Sequence, residues 1–432
     1  MPELSFCRVD MQWERALNQR FSSDPACPYN AAMTNIPEYS LKWGKDRRLT
    51  AGSVWAFRNE IDFKEKDPGP GSLVRLKTQK GRPLGVGFLN SQSNLCFRLL
   101  APHGEFDLSA SAEDILNARL NQAVAARGPR EAGAARRLIN AEGDWLPGLV
   151  VDDYNGVLAV QIHTAGMDRR RSLILDFLKA LPGTKALVER SDSEARKREG
   201  LMPSGGVLLS LALDEDFLAR VPFVENGLHF TADVLAGHKT GFFLDQRHAR
   251  TLARTLSKGK RCLDVFCHSG GFAAALAAGG ATEVLGIDQS KEALALAEGH
   301  ARLNQLDQCR FESGDAFARL RELEKAGERF QVVVLDPPAM AKEGSAVGDA
   351  LRGYRELNLR ALRLLDHGGL LLTCSCTGAV DEEQFMEALH SAALDAPATL
   401  RELERPGASS DHPRLLGMPE TRYLKSVLLF KA

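Results

Sequence analysis

Short apolar runs alternate with longer amphipathic segments over the C-terminal half of the chain. The runs at 262–266, 283–287 and 331–335 are mostly apolar, and each is followed by a segment that mixes apolar and polar positions. Uninterrupted apolar runs are typical of strands buried on both faces, and the mixed segments are typical of helices. The alternation predicts a Rossmann-like α/β domain with a doubly wound parallel sheet over residues 229–432, with an antiparallel edge strand at 423–430.

A different pattern occupies residues 42–104. Strand-like segments at 73–78 and 83–89 are separated by Gln-Lys-Gly-Arg, which is a hairpin signal with a glycine turn. Residues 95–100 supply a further strand. These segments predict a small N-terminal β domain.

The region between these two, residues 105–228, predicts a central mixed α/β domain. Its predicted helices lie at 112–126 and 167–181, and its predicted strands lie at 148–153, 156–162 and 186–189. Residues 1–41 have no clear period and include Pro25, Pro28 and Pro37, so we expect a partly irregular N-terminal extension there.

Charge is unevenly distributed along the chain. The formal net charge is −1, yet residues 42–104 contain twelve Lys and Arg against five Asp and Glu, a regional balance of +7. Clustered cations either form a solvated surface or bind the phosphates of RNA, and the sequence leaves both open.

Composition excludes several classes of protein. A chain of 432 residues with 44% hydrophobic and 26% charged residues is expected to form two or three globular domains. No apolar run approaches the ~18–20 residues needed to span a bilayer, and the first thirty residues lack the apolar region of a signal peptide, so no membrane association and a cytoplasmic location are expected. The eight cysteines form no CxxC pair, so no metal site is predicted.

The first chemical motif begins inside the 262–266 run and continues past its end. Asp264-Val-Phe266-Cys-His-Ser-Gly270-Gly271 predicts a strand, a glycine turn and a helix, where the backbone can approach a nucleotide-like ligand. Asp288 follows Gly271 by 17 residues at the end of the next predicted strand, near the spacing at which an acid meets ribose hydroxyls. NAD is the competing ligand, although the loop has fewer glycines than a dinucleotide site.

Two further strand ends carry chemical groups. Asp336-Pro337-Pro338 ends one apolar strand, and prolines there can hold a rigid turn beside the crevice of such a sheet. Cys374 and Cys376 lie at the end of the next predicted strand, on one face if the strand continues. A buried structural thiol is the commonest state of a strand cysteine, and we expect it for Cys374.

From about residue 42 to its C-terminus the chain resembles the RlmI/RlmO-type 23S rRNA 5-methylcytosine methyltransferases. These combine a PUA domain, which binds RNA, with a central α/β domain and a class I S-adenosylmethionine (SAM) methyltransferase domain. The most specific match is His238-Lys-Thr-Gly-Phe-Phe-Leu-Asp-Gln-Arg247. Other matches are Leu146-Pro-Gly148, Arg190-Ser-Asp192, Gly270-Gly-Phe272, Asp336-Pro-Pro338, Gly353-Tyr354, Ser375-Cys376, Asp411-His-Pro413 and Tyr423-Leu-Lys425.

The resemblance implies roles for individual residues. It implies SAM as cofactor, Cys376 as nucleophile and Asp336 as the group that holds the pyrimidine edge. The predicted cofactor-binding residues are Asp264, Phe266, Gly270, Gly271, Asp288, Asp315, Gln246 and Phe243. The predicted substrate-binding residues are Lys239, Asp245, Arg247, Pro337 and Tyr354. For Asp315, assigned to the adenine amine, a plain helix N-cap is the alternative.

The chain departs from the family pattern at three places. Ala339-Met340 follows Asp-Pro-Pro where Lys-Phe is frequent, and Cys267-His268 stands in the cofactor loop where Ser-Tyr is usual. The family motif Phe-Ser-Cys-Ser is here Cys374-Ser-Cys376-Thr, which assigns the nucleophile to Cys376.

The predicted function is SAM-dependent methylation of cytosine C5 in RNA, with 23S rRNA as the expected partner and a homodimer left open. One alternative is a methyltransferase for the exocyclic N2 of guanine in RNA, whose members typically carry Asn at the position of Cys376. Another is a non-catalytic RNA-binding factor that retains the SAM fold.

Overall fold

The N-terminal sheet has six strands and starts at Glu38, inside the segment predicted as an extension. The computed structural model describes residues 36–107, 110–341, 346–396 and 398–432, so residues 1–35 of that extension lie outside the described part. The elements are β1 (Glu38–Leu41), α1 (Arg47–Thr50), β2 (Trp55–Ala56), β3 (Ile61–Asp62), β4 (Ser72–Lys77), β5 (Pro83–Leu89) and β6 (Phe97–Pro102).

The order of strands in this sheet is β2-β6-β5-β4-β1-β3. β4 and β5 form the antiparallel hairpin that the glycine turn predicted. β1 was missed because it is short and its apolar positions do not form a run. It pairs in parallel with β4, so that Ser40 lies opposite Lys77.

The central region contains a five-stranded sheet of order β11-β10-β9-β8-β7. Its elements are α2 (Ala112–Ala126), β7 (Ala135–Asn140), β8 (Leu149–Tyr154), β9 (Val157–Ile162), α3 (Ala165–Asp168), α4 (Arg171–Ala180), β10 (Ala186–Ser191), α5 (Glu194–Arg198), β11 (Ser204–Ser210) and α6 (Glu215–Leu218). Two antiparallel strands follow, β12 (Val221–Glu225) and β13 (Leu228–Ala232).

The prediction of a single helix over 167–181 is wrong in one respect, because the chain forms two helices there. The break falls at Arg169 and Arg170. The guanidinium of Arg170 lies 4.4 Å from the ring centroid of Phe88 and donates to the carbonyl of Gly71 at 2.7 Å. Contact with the N-terminal sheet therefore overrides the local helical pattern.

The C-terminal region forms a seven-stranded sheet of order β16-β15-β14-β17-β18-β20-β19. Its elements are α7 (Arg247–Leu256), β14 (Arg261–Val265), α8 (Gly271–Ala278), β15 (Glu283–Asp288), α9 (Lys291–Leu303), β16 (Cys309–Ser313), α10 (Ala316–Lys325), β17 (Phe330–Leu335), α11 (Val347–Leu364), β18 (Leu365–Ser375), α12 (Glu382–Asp395), β19 (Leu400–Glu404) and β20 (Lys425–Lys431). β14 to β18 pair in parallel, as predicted.

The last strand is antiparallel, as predicted, but it is not the edge strand. β20 lies between β18 and β19. β19 forms the edge instead, and it was missed because four of its five residues are exposed and it carries no apolar run.

Both faces of this sheet are covered. Leu263, Val265 and Val333 pack into one hydrophobic cluster, whereas the alternating residues Cys262 and Val332 pack into another. Because successive side chains of a strand point to opposite faces, double burial explains the continuous apolar runs in the sequence. No helix among the described residues is long and apolar enough to cross a membrane.

Candidate functional site

The turn between β14 and α8 has an unusual backbone. Phe266, His268 and Gly270 have φ values of 64°, 48° and 77°, all in the left-handed region. This conformation is costly for residues other than glycine, and it tends to persist where a ligand site requires it. At Gly270 a Cβ would lie 2.9 Å from the Cβ of Ala297, so a side chain is excluded there as well. Gly271 starts α8 and packs against Arg250.

Two carboxylates border this turn. Asp264 is fully buried; its Oδ2 accepts from the backbone amide of Ala273 at 2.9 Å, and its Oδ1 has no partner among the described residues. Burial, together with the nearby charge of Asp336, raises the pKa of Asp264 to about 8. Asp288, at the end of β15, accepts from the amides of His268 and Ser290, both at 2.9 Å.

Phe243 also borders the turn, whereas Asp315 has a clear local role. The ring of Phe243 lies edge-on to that of His268, with centroids 5.1 Å apart. Asp315 is exposed and caps α10, where it accepts from the amide of Ala318 at 2.9 Å. The N-cap alternative for Asp315 is therefore present, and its role toward adenine stays a prediction.

The ends of β17 and β18 bring Asp336, Pro337 and Cys376 together. These strands are parallel neighbours, with Leu335 opposite Thr373, so both chains leave the sheet at the same edge. The Sγ of Cys376 lies 3.8 Å from the carbonyl oxygen of Pro337. Cys376 comes just after the last strand residue and is partly exposed, whereas Cys374 is fully buried within β18.

The two thiols differ in electrostatics. Burial and the Asp336 carboxylate raise the pKa of Cys376, whereas the cations of Lys239 and Lys425 act in the opposite direction. Burial and Asp336 raise the pKa of Cys374 well above its usual value. Of the two, only Cys376 combines solvent access with cations that favour its thiolate.

Asp336 itself is a perturbed acid. Burial and the neighbouring Asp245 raise its pKa to about 7, against the effects of Lys239 and of Gln246. The Nε2 of Gln246 donates to Oδ1 of Asp336 at 2.8 Å. A buried carboxyl whose pKa is shifted toward neutrality is frequent at functional sites.

The carboxylate of Asp245 has several cationic and hydrogen-bond-donating neighbours. Burial alone would raise its pKa, but Lys239, His412 and Tyr423 hold the pKa of Asp245 well below its usual range. The Nζ of Lys239 lies 3.1 Å from Oδ2, and the hydroxyl of Tyr423 donates to the same oxygen at 2.6 Å. Within the part of the chain that the structure describes, Oδ1 of Asp245 and Oε1 of Gln246 have no hydrogen-bond partner.

Two of the predicted substrate-binding residues form hydrogen bonds or ion pairs with other residues of the protein. The hydroxyl of Tyr354 lies 2.7 Å from Oγ1 of Thr377, which also accepts from the amide of Met340 at 3.0 Å, so Tyr354 fixes the segment after Cys376. The guanidinium of Arg247 contacts Glu225 at 3.4 Å, Asp411 at 2.9 Å and the carbonyl of Ala135 at 2.7 Å. The roles of Tyr354 and Arg247 toward a substrate stay predictions.

Sequence reasoning missed the partners that arrive from distant segments. Tyr423 and Lys425 belong to a stretch that matches the family, but the sequence pattern gives neither of them a role. Thr377 and Lys425 were not singled out as site residues; Lys425 donates to the carbonyls of Thr377 and Val380, both at 2.8 Å. Only the pairing of β18 with β20 brings Lys425 beside the Cys376 segment.

Comparison with known proteins gives matches along most of the chain. The S-adenosylmethionine-dependent methyltransferase family matches residues 210–424, and the PUA-like domain family matches residues 40–102. The ribosomal RNA large subunit methyltransferase I of Tolumonas auensis is 36% identical over 394 residues, which are 90% of this chain and 98% of that protein. The protein of the same name from Shewanella denitrificans is 37% identical over 397 residues, with the same coverage.

The chain belongs to the ribosomal RNA large subunit methyltransferase I family.

Solved structures of lower sequence identity share the fold of this family member. A Streptococcus mutans protein assigned as a SAM-dependent methyltransferase aligns with a TM-score of 0.77 at 19% identity, over 91% of this chain and 100% of that one. The methyltransferase SMU.776, solved in complex with SAH, aligns with a TM-score of 0.78 at 20% identity and the same coverage. The predicted fold, a methyltransferase domain with an N-terminal PUA-like domain, is confirmed.

SAM is the cofactor of the family, and the residues around the β14 turn fit it. The left-handed Gly270 leaves room for close backbone approach at the start of α8. The free Oδ1 of Asp264 and the carboxylate of Asp288 offer acceptors to an ammonium group and to ribose hydroxyls. The predicted cofactor is confirmed, whereas the part of each residue in binding it stays a prediction.

Proposed function

We propose that this protein methylates C5 of a cytosine in the RNA of the large ribosomal subunit, with Cys376 as a covalent nucleophile. The relatives are large-subunit rRNA methyltransferases by name. The observation that carries the choice of cytosine C5 is the Cys376 thiol, partly exposed and 3.8 Å from the carbonyl of Pro337 in the Asp-Pro-Pro turn. Methylation of an exocyclic nitrogen needs no such thiol.

The chemistry of cytosine explains why a thiol is needed. C5 is a poor nucleophile within the aromatic ring. Addition of the Cys376 thiolate to C6 forms a C–S bond and turns C5 into an enamine-like carbon. When bound, SAM supplies the methyl group that C5 accepts. Loss of the C5 proton then restores the C5–C6 double bond and expels the thiolate, so one hard reaction becomes two easier ones.

Asp336 is suited to hold the pyrimidine during these steps. With a pKa of about 7, its carboxyl can donate a proton to N3 or accept from the exocyclic amine of the base. A proton at N3 withdraws electrons from the ring and makes C6 more susceptible to thiolate addition. Gln246 fixes the carboxyl through its 2.8 Å hydrogen bond.

Lys239 is suited to favour the thiolate. Its ammonium lies 3.1 Å from Oδ2 of Asp245 and 4.6 Å from the ring centroid of Phe243, and it lowers the pKa of Cys376 against the effect of burial. The target cytosine has to be unstacked to reach this position. The PUA-like domain, with its excess of cations, would bind the RNA backbone.

Analysis of the methylated product tests the proposal. Purified protein is incubated with labelled SAM and unmodified large-subunit rRNA, and the RNA is digested to nucleosides. We expect label in 5-methylcytidine. Label in N2-methylguanosine would contradict the cytosine assignment, and SAM binding without any transfer would favour the non-catalytic factor.

A homodimer and a cytoplasmic location complete the proposal. The edge strand β11 supports a homodimer, because an open strand edge can pair with a second copy and the strand has exposed apolar residues: Val207 within it and Met202 and Leu211 beside it. Light scattering on the purified protein would give twice the mass of one chain. A mass equal to that of one chain would contradict the proposed homodimer.

A further inference from the structure

Trp43 is an exposed tryptophan in the PUA-like region. It lies in the turn between β1 and α1, and 70% of its surface is exposed. The other two tryptophans of the described residues, Trp55 and Trp145, pack against the hydrophobic cluster of the N-terminal sheet. The Nζ of Lys80 lies 5.1 Å from the centroid of the Trp43 ring system, so the indole already has a cation beside it.

The pairing of strands places two basic turns side by side at Trp43. β1 and β4 are parallel, so the turn at 42–46 after β1 lies next to the hairpin tip at 78–82 after β4. The exposed cations of these two turns are Lys42, Lys45, Lys80 and Arg82, against the single acid Asp46. Among the described residues, none of these four cations forms an ion pair with a carboxylate.

An exposed aromatic ring among unpaired cations suits a single-stranded nucleic acid. A base can stack on the indole, and phosphates can bind the surrounding ammonium and guanidinium groups. A stable protein partner usually needs about 1,000 Å² of well-packed interface, which one exposed ring does not offer. The charge of the patch and its place in a PUA-like domain therefore favour RNA.

We propose that Trp43 is a stacking platform for an unpaired base of the substrate RNA, with Lys42, Lys45, Lys80 and Arg82 binding the adjacent phosphates. This inference rests on the proposed function, since it takes the substrate to be RNA. It assigns to the PUA-like region a contact with an unpaired nucleotide, in addition to its attraction for the backbone.

Substitution of Trp43 tests the platform. The full chain and the variants Trp43→Ala and Trp43→Phe are compared for binding to short oligoadenylate by fluorescence anisotropy, and for KM and kcat with rRNA. Stacking on an aromatic ring predicts about tenfold weaker oligonucleotide binding and a similarly higher KM for Trp43→Ala. Trp43→Phe should retain most of the affinity, and kcat and SAM affinity should be unchanged in both variants.

A charge variant and a second probe complete the experiment. Lys80→Gln should reduce the slope of log affinity against log salt by about 0.7, because one phosphate contact with the single strand is lost. Equal oligonucleotide affinity for wild type and Trp43→Ala would overturn the platform. So would loss of binding to phosphatidylserine vesicles in Trp43→Ala with unchanged RNA affinity, since the patch would then bind membranes.

The outcome separates the platform from the function on which it rests. If Trp43→Ala loses RNA affinity but the wild type produces no 5-methylcytidine, the platform stands and the proposed function fails. If 5-methylcytidine forms with an unchanged KM in Trp43→Ala, the function stands and the platform fails. Equal melting temperatures of the three proteins show that the exposed position is altered without loss of folding.

Discussion

Single residues at the site differ in ways that their spacing in the sequence does not reveal. Cys374 and Cys376 are two positions apart, yet the first is fully buried in β18 and the second lies beyond the end of the strand. Asp264 lies within β14 and Asp288 ends β15, yet of the two only Asp264 is fully buried and has an oxygen with no partner among the described residues. Burial and hydrogen bonding, rather than residue type, therefore decide what each group can do.

Substitution of the buried thiol should affect stability rather than catalysis. Cys374→Ala removes a packed side chain from β18 and should lower the free energy of unfolding by about 1 kcal/mol. Methyl transfer should persist, because Cys376 is unaltered. Thermal unfolding and initial rates measure the two effects, and a loss of turnover at full folding would show that Cys374 takes part in the reaction.

Asp288 should contribute to SAM binding. Its carboxylate can accept hydrogen bonds from ribose hydroxyls, each contributing about 1.5–3 kcal/mol, so Asp288→Ala should weaken SAM binding at least tenfold. Asp307→Ala removes an exposed carboxylate from the turn between α9 and β16 and serves as the control. Titration calorimetry gives both dissociation constants, and an unchanged value for Asp288→Ala would remove this assignment.

At the scale of elements, the sheet could be predicted and the site only in part. Parallel strands buried on both faces leave continuous apolar runs, so β14, β15, β17 and β18 were found. The exposed edge strand β19 leaves no such signal. The bond between Tyr423 and Asp245 joins residues 178 positions apart, and the Lys425 ammonium reaches the Cys376 segment only through the pairing of β20 with β18. Local patterns carry no information on such contacts.

Lys239, in the segment that connects β13 to α7, should influence the pH dependence of methyl transfer. The thiolate is the reactive form of Cys376, so the rate should rise with pH as the thiol loses its proton. Lys239 lowers the pKa of Cys376; its removal in Lys239→Gln raises that pKa and shifts the rising limb to higher pH. Lys431→Gln, at the far end of β20, is the control. A profile of Lys239→Gln that is unmoved or shifted to lower pH would contradict this role.

At the scale of the whole molecule, a buried ion pair connects the N-terminal sheet to the central region. Arg98 of β6 contacts Glu199, at the end of α5, at 2.8 Å, and Asn90 and the amide of Ala165 also donate to Glu199. The side chain of Glu199 is almost completely buried. The PUA-like region is thus fixed to the rest of the chain by polar contacts as well as by packing.

Loss of this carboxylate should be costly. Glu199→Ala leaves the Arg98 charge without its partner and should reduce the free energy of unfolding by about 3–5 kcal/mol. Glu194→Ala, which breaks the exposed pair with Lys197 on the same helix, should change it by at most about 1 kcal/mol. Chemical denaturation compares the two variants. Equal effects would mean that the buried pair does not stabilise the contact between these regions.

The covalent role of Cys376 is tested most directly with RNA that contains 5-fluorocytidine. Fluorine at C5 cannot leave as a proton does, so the adduct cannot break down after methyl transfer and should survive denaturation. We predict a stable protein–RNA adduct in the presence of SAM, mapped by peptide mass spectrometry to Cys376 and absent from Cys376→Ala, which should still bind SAM. An adduct on Cys374, or full methyl transfer by Cys376→Ala, would contradict the account.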